Sequence, residues 1–258
     1  MAPEGAPATT PAPLTHIVQG RAVRIPVVVR DAAAMSAMFP VRSDLVRRLL
    51  PTPRLHPAEW LPGWAICVLA AIEYKDNDLG TYNEVGVNFL VTYGATAPWP
   101  LVGLVTASRA GTLGAYVHRL PVTTSFSRDA GRDIWGFPKT VDTISFTDAG
   151  DQRTCRLESE GRHVLTLGAR RGGTRTLAEI PQDAYAWRDE MLFKTPSRMR
   201  AGEVGFRMGG ATVELGSHPI ADELRMLGFP RRALSTTWFG RWSATFDDAV
   251  ILERSSPS

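Results

Sequence analysis

Cysteine is nearly absent. The 258 residues contain two, Cys67 and Cys155, each inside an apolar, strand-like run and with no Cys-x-x-Cys spacing. This excludes a disulfide framework and a thiolate metal site, and points to reduced core residues in a reducing compartment. Long hydrophobic runs are missing as well, so no membrane-spanning helix is expected. Residues 1–13 lack the basic start and apolar segment of a secretory signal, and the expected location is the cytoplasm, away from membranes. Charge of one sign is not in large excess. Lys plus Arg total 29 against 26 for Asp plus Glu, a net charge of +3. No dense basic run interleaved with aromatics is present, which argues against a nucleic-acid partner. His16, His56, His118, His163 and His218 show no ligand spacing, so no metal is expected. Gly209-Gly210 belongs to no phosphate-binding or dinucleotide fingerprint, and Ser235-Thr236-Thr237-Trp238-Phe239 sits in no Gly-x-Ser-x-Gly frame. No cofactor is implied.

What is present is β-structure. The chain is 44% apolar and 21% charged, ordinary for a globular protein with room for a sizeable core. Ala22–Val29 is short and β-branched, Trp64–Tyr74 is a longer apolar run, and Glu84–Tyr93 alternates with a period of two. Leu101–Ala107, Val141–Thr147, Arg153–Glu158, Arg162–Ala169, Glu203–Arg207, Ala211–Leu215 and Trp238–Phe246 continue the pattern. Gly150-Asp151, Glu160-Gly161 and Gly172-Gly173 punctuate it. Helices are few: Leu45–Leu50 behind a Ser43-Asp44 cap, Thr123–Gly131, and Pro219–Leu227. The expected fold is mainly β (α+β), an antiparallel sheet closed into a barrel or double-sheet sandwich with a few short peripheral helices. Residues 1–14 read as a disordered tail rich in Pro, Ala and Thr, 15–253 as a single domain, and 254–258 as a second tail.

One segment carries chemistry, Gly131-Arg132-Asp133-Ile134-Trp135-Gly136-Phe137-Pro138-Lys139-Thr140. Gly136 frees the backbone, Pro138 fixes φ, and Trp135 and Phe137 bring apolar surface beside Lys139. A lysine held in such a pocket loses hydration of its charged form, so its pKa should fall and leave a neutral amine able to attack a ketone. The iminium that results is an electron sink for cleavage of a neighbouring bond.

This segment resembles the active-site stretch of the acetoacetate decarboxylase family, in which the lysine after Tyr-Pro or Phe-Pro forms a Schiff base. Leu79-Gly80-Thr81-Tyr82-Asn83-Glu84 resembles the family's segment ending in a catalytic-site glutamate. Asp44-Leu45-Val46-Arg47-Arg48-Leu49-Leu50-Pro51 is similar to its early helix. The resemblance implies a Schiff-base lyase on a keto acid, with Lys139 as nucleophile, Glu84 as the proton-handling group, and Trp135 and Phe137 at the substrate. An arginine from the first strand region would hold the carboxylate, and among Arg21, Arg24 and Arg30 the choice falls on Arg24, inside the expected strand. The family also tends to assemble, so a homo-oligomer is expected.

Two positions depart from the family's pattern. Thr140 stands where decarboxylases carry a second lysine. Leu69 stands where they carry an acid, with Glu73 four residues on as a substitute or a rim residue. Three readings stay open: decarboxylation, aldol or dehydration chemistry on the same lysine, and a protein that binds a ligand without catalysis. In the third, Trp64, Trp99, Trp135 and Phe137 would line an aromatic cavity.

Overall fold

The computed structural model describes residues 14–94 and 112–254. The strand expected over Leu101–Ala107, Trp99, and the tail residues before Leu14 and after Arg254 lie outside them. In chain order the elements are β1 (Thr15–Val18), β2 (Arg21–Arg24), β3 (Val27–Arg42), α1 (Ser43–Leu49), β4 (Leu55–Pro57), β5 (Glu59–Leu61), β6 (Trp64–Asn77), β7 (Tyr82–Tyr93) and β8 (Leu113–Val122). There follow α2 (Ser125–Trp135), β9 (Lys139–Val141), β10 (Thr143–Ala149), β11 (Gln152–Ser159), β12 (Arg162–Arg170), β13 (Arg175–Arg188), β14 (Met191–Met208), β15 (Ala211–Leu215), α3 (Pro219–Met226), β16 (Ser235–Phe246) and β17 (Val250–Arg254).

The strand order β7-β6-β3-β16-β14-β13-β8 returns on itself because β8 pairs with β7, closing a barrel of seven strands. Closure removes the edges that an open sheet of this length would expose. Most pairs are antiparallel, as expected, but β8 runs parallel to both β13 and β9. A separate antiparallel sheet, β10-β11-β12-β15, lies against the barrel. One apolar cluster joins them, with Phe39, Leu69 and Phe89 from the barrel and Cys155, Leu157, Leu165 and Leu167 from the second sheet. Phe39 is wholly buried with its ring centre 4.4 Å from Phe229. Truncating such a phenylalanine to alanine costs about 3–5 kcal/mol. Both cysteines are buried and free, as the sequence suggested.

The three helices fall where the sequence placed them, with different caps. Ser43 is the first residue of α1, not its cap, and its hydroxyl donates to Glu59 Oε1 at 2.5 Å. Thr124 caps α2, accepting from the Ser127 N–H, and the helix runs four residues past the expected end to Trp135. It stops at Gly136, whose φ of 68° is a left-handed value that glycine adopts at no steric cost. Phe137 N–H then bonds back to Gly131 O at 3.0 Å. That turn sends the chain back along its own helix and into β9.

The chain from Ala22 to Val29 is not one strand: β2 ends at Arg24 and β3 begins at Val27. The longest hairpin, β13 with β14, escaped the sequence reading apart from the piece Glu203–Arg207. Most of the first half of β13 is exposed on both faces, so it lacks the alternation that marks a half-buried strand.

Candidate active site

Lys139 opens β9 and Glu84 lies near the start of β7, with β8 between them. Glu84 sits opposite Val122 on β8, and Lys139 opposite Leu120. Two strand spacings, about 10 Å, separate the backbones, and the two long side chains meet across that gap. Lys139 Nζ lies 2.9 Å from Glu84 Oε2, with only 3% and 7% of the two side chains exposed. Nζ also donates to Ser127 Oγ of α2 at 3.1 Å and lies 5.1 Å from the centre of the Tyr82 ring. Tyr74 on β6 donates its hydroxyl to the other carboxylate oxygen, Glu84 Oε1, at 3.1 Å. The Tyr74 and Tyr82 rings stack at 4.3 Å, and Trp242 meets Tyr74 edge-on at 5.9 Å.

The electrostatics correct one expectation. Burial does push the Lys139 ammonium down, but the Glu84 carboxylate and then Tyr82 outweigh it and hold the group above the ordinary lysine range. Among the described residues no arginine or second lysine pairs with it in the opposite sense. The resting amine is therefore a cation in a buried ion pair, not a free base. Burial, reinforced by Glu84, holds the Tyr74 phenol well above its usual range, and burial likewise raises Tyr82.

Val27, Val29, Tyr74, Asn77, Leu79, Tyr82, Trp135 and Phe246 line the cavity over Lys139. It holds about 20 Å³, room for a single water, so anything larger enters only when lining side chains move. The β6–β7 turn supplies Asn77 and Leu79. Asp78 between them is tied to the Val28 N–H at 2.9 Å and to Arg30 at 2.6 Å. A wider cleft beside Val213, Arg225 and Phe229 contains neither Lys139 nor Glu84.

The sequence-derived candidates are placed as follows. Lys139 and Trp135 line the cavity, and Glu84 is joined to it through its pair with Lys139. Trp135 is anchored by its indole N–H to Asp247 O at 2.8 Å. Phe137 is buried with its ring 5.8 Å from Trp135 and stands behind the lining. Arg24 is exposed at the end of β2 and is not among the lining residues. Neither are its rivals. Arg21 stacks on Phe126 at 4.1 Å, and Arg30 is exposed and paired with Asp76 and Asp78. Trp64 is exposed at the surface. Leu69 is core. Glu73 points to the side opposite its neighbour Tyr74 and accepts from Arg153 at 2.7 Å, so it does not stand in for an acid at Lys139.

Tyr74, Tyr82, Ser127 and Gly131 went unnoticed in the sequence. Tyr82 had a readable signal, since it lies two residues before Glu84 on one strand and hence on the same face. Ser127 had one too, four residues from Gly131 on a helix.

The sequence profile of the acetoacetate decarboxylase family matches residues 9–254. The chain belongs to that family. Solved structures share its fold. Acetoacetate decarboxylase from Legionella pneumophila subsp. pneumophila str. Philadelphia 1 superposes with a TM-score of 0.64 at 15% identity, over 95% of this chain and 93% of that one. An acetoacetate decarboxylase-like enzyme from Sphingomonas wittichii RW1 gives 0.59 at 16%, over 94% and 100%. The enduracididine biosynthesis enzyme MppR, complexed with the condensation product of pyruvate and imidazole 4-carboxaldehyde, gives 0.61 at 16%, over 96% and 100%. At these identities the likeness is one of fold. No curated protein matches the sequence. Leu69 is buried in the core, and Thr140 is exposed with its hydroxyl donating to Asp142 Oδ2 at 2.5 Å.

Proposed function

We propose that this chain is a Schiff-base-forming carbon–carbon lyase acting on a keto acid, decarboxylase-like, with Lys139 as nucleophile and Glu84 as the proton-handling group. The observation that carries the reading is the buried Lys139–Glu84 pair, 2.9 Å apart, with Lys139 in the lining of a small cavity.

The pair is a cation and an anion with no net charge, and transfer of one proton from Nζ to Oε2 turns it into an amine and an acid. The amine attacks the substrate carbonyl and a C–N bond forms. Glu84 protonates the departing oxygen, water leaves, and an iminium remains on Lys139. The iminium draws electrons from the adjacent C–C bond. Carbon dioxide departs and the electron pair becomes an enamine; Glu84, left ionised by the loss of water, takes up a proton from solvent and delivers it to the enamine carbon, which regenerates an iminium that water hydrolyses. Tyr74, held on Oε1, keeps the carboxyl aimed at the reacting atoms. Trp135 forms the apolar wall beside the substrate, and Phe137 backs it. With Arg24 on the surface, the guanidinium expected for the carboxylate has no counterpart among the described lining residues.

Thr140 and Glu73 favour a second reading. Among the described residues no second cation and no second acid stand beside the pair, so the enamine could instead attack an aldehyde, in an aldol condensation followed by loss of water. MppR, caught with a condensation product of pyruvate, shows the fold with such a compound bound.

Intact mass after borohydride reduction with acetoacetate, pyruvate and longer keto acids tests the reading. An adduct that disappears in Lys139→Ala supports it, and carbon dioxide release or its absence decides between the two outcomes. No adduct with any keto acid overturns both.

A further inference from the structure

Ser127 and Gly131 lie four residues apart on α2 and so share one face of the helix. Both are buried, Ser127 completely. The Lys139 side chain lies across that face. A Cβ added at Gly131 would stand 2.4 Å from Lys139 Cδ and 2.6 Å from Cε, well inside the 3.5–4.0 Å at which carbon atoms meet. Nothing about the helix asks for glycine here. Its φ is not in the left-handed region, and glycine in a helix interior is about 1 kcal/mol worse than alanine. The space it leaves is occupied by the lysine stem. One turn earlier, Ser127 Oγ accepts from Nζ at 3.1 Å. An ammonium has three N–H donors; Glu84 engages one and Ser127 a second. The backbone bond from Phe137 N–H to Gly131 O folds the chain so that Lys139 returns over these two positions.

We infer that Ser127 and Gly131 are positioning residues for Lys139, Gly131 opening the channel for the lysine stem and Ser127 fixing the direction in which the amine points. Without Gly131 the stem moves off the helix and Nζ leaves the line between Glu84 and the cavity. Without Ser127 the amine keeps its place along the stem but loses the acceptor that sets its rotation and helps hold its proton. The consequence for catalysis rests on the Schiff-base reading, whereas the positioning itself can be read without any substrate.

Competitive acetylation with acetic anhydride across pH, followed peptide by peptide by mass spectrometry, measures the Lys139 amine against Lys75 and Lys194 in the same molecule. In Gly131→Ala the expected result is a folded protein with an altered Lys139 acetylation profile and a fall of at least about tenfold in the rate of keto-acid adduct formation, the scale of a misplaced reacting group. In Ser127→Ala the acetylation midpoint of Lys139 moves to lower pH, and Ser127→Thr restores it. A purely structural role for Ser127 would lower the melting temperature without moving that midpoint. Folded Gly131→Ala and Ser127→Ala proteins with wild-type Lys139 profiles overturn the inference. If Gly131→Ala does not fold, the Ser127→Ala and Ser127→Thr pair decides. Absence of any keto-acid adduct in the wild type would remove the Schiff-base reading and leave the acetylation profiles to judge the positioning alone.

Discussion

Glu84 divides its two carboxylate oxygens between two partners, with Oε2 at 2.9 Å from Lys139 Nζ and Oε1 accepting from the Tyr74 hydroxyl at 3.1 Å. One oxygen faces Lys139 and the other is anchored to the barrel wall. A buried ion pair adds little net stability once desolvation is counted, and breaking one side is far costlier than replacing both. Its lysine lines a cavity with perturbed tyrosines beside it, which is the pattern of a functional site.

Glu84→Gln separates the two parts that Glu84 plays. The amide cannot take a proton from Lys139, and an unpaired ammonium in this setting is disfavoured, so the amine becomes neutral at lower pH. Adduct formation with borohydride should therefore persist, while turnover falls by about 10²–10⁴, the share general acid–base catalysis supplies. Unchanged turnover in the folded variant would remove Glu84 from the proton-handling role.

Tyr74→Phe keeps the ring that stacks on Tyr82 and removes only the hydroxyl on Oε1. Stability should drop by about 1 kcal/mol, the usual worth of such a bond, which denaturant unfolding can resolve. The pH dependence of adduct formation should shift with it, because the carboxyl that exchanges a proton with Lys139 has lost its anchor. A stability loss with no change in the pH profile would make Tyr74 structural only.

How much of this was written in the sequence differs from residue to residue. Lys139 could be read because Gly136, Phe137 and Pro138 are rare in combination, and each has a local effect on the backbone. Glu84 could be read only through resemblance, since a carboxylate at a strand start is ordinary. The ion pair between them could not be read at all. It depends on β8 lying between β7 and β9, a long-range pairing that local periodicity does not encode. The same limit hid Ser127 and Gly131, which meet Lys139 only because Gly136 turns the chain back on its helix. It also explains the error over charge. Burial alone predicts a depressed lysine, and the raised one follows from a partner 55 positions earlier in the chain. For β13 the reason is different: its exposed half has no buried face, and so no pattern to detect.

Away from the site, Glu223 on α3 ties that helix to β8. Its Oε1 lies 2.6 Å from His118 Nε2, and its Oε2 accepts from Arg119 at 2.8 Å. Burial pushes this carboxyl up, but the His118 and Arg119 hydrogen bonds prevail and bring it from 4.5 down to about 2. A carboxyl depressed in the folded state contributes stability above its unfolded pKa and loses it as the pH falls through the folded value. The loss should fall between about pH 4.5 and pH 2 and amount to roughly 3 kcal/mol. Melting temperatures across that window should drop more steeply for wild type than for Glu223→Gln. Parallel curves would show that α3 is held by other contacts.

Thr140 tests whether a second lysine beside the first acts through its place in the chain. Lys139 and Thr140 are consecutive residues of β9, so their side chains point to opposite faces. Lys139 is buried, whereas Thr140 is exposed and bonded to Asp142. A lysine at 140 would carry its ammonium into solvent, where a neighbouring charge is heavily screened. The Glu84 carboxylate at 2.9 Å would continue to dominate the state of Nζ. Thr140→Lys should therefore leave the pH dependence of Lys139 adduct formation where it is, with stability unchanged to within about 0.5 kcal/mol, as for other surface substitutions. A shift of that profile to lower pH would mean that β9 turns over when substrate binds and brings position 140 to the cavity. In that case the resting geometry of the pair would not be the geometry in which it reacts.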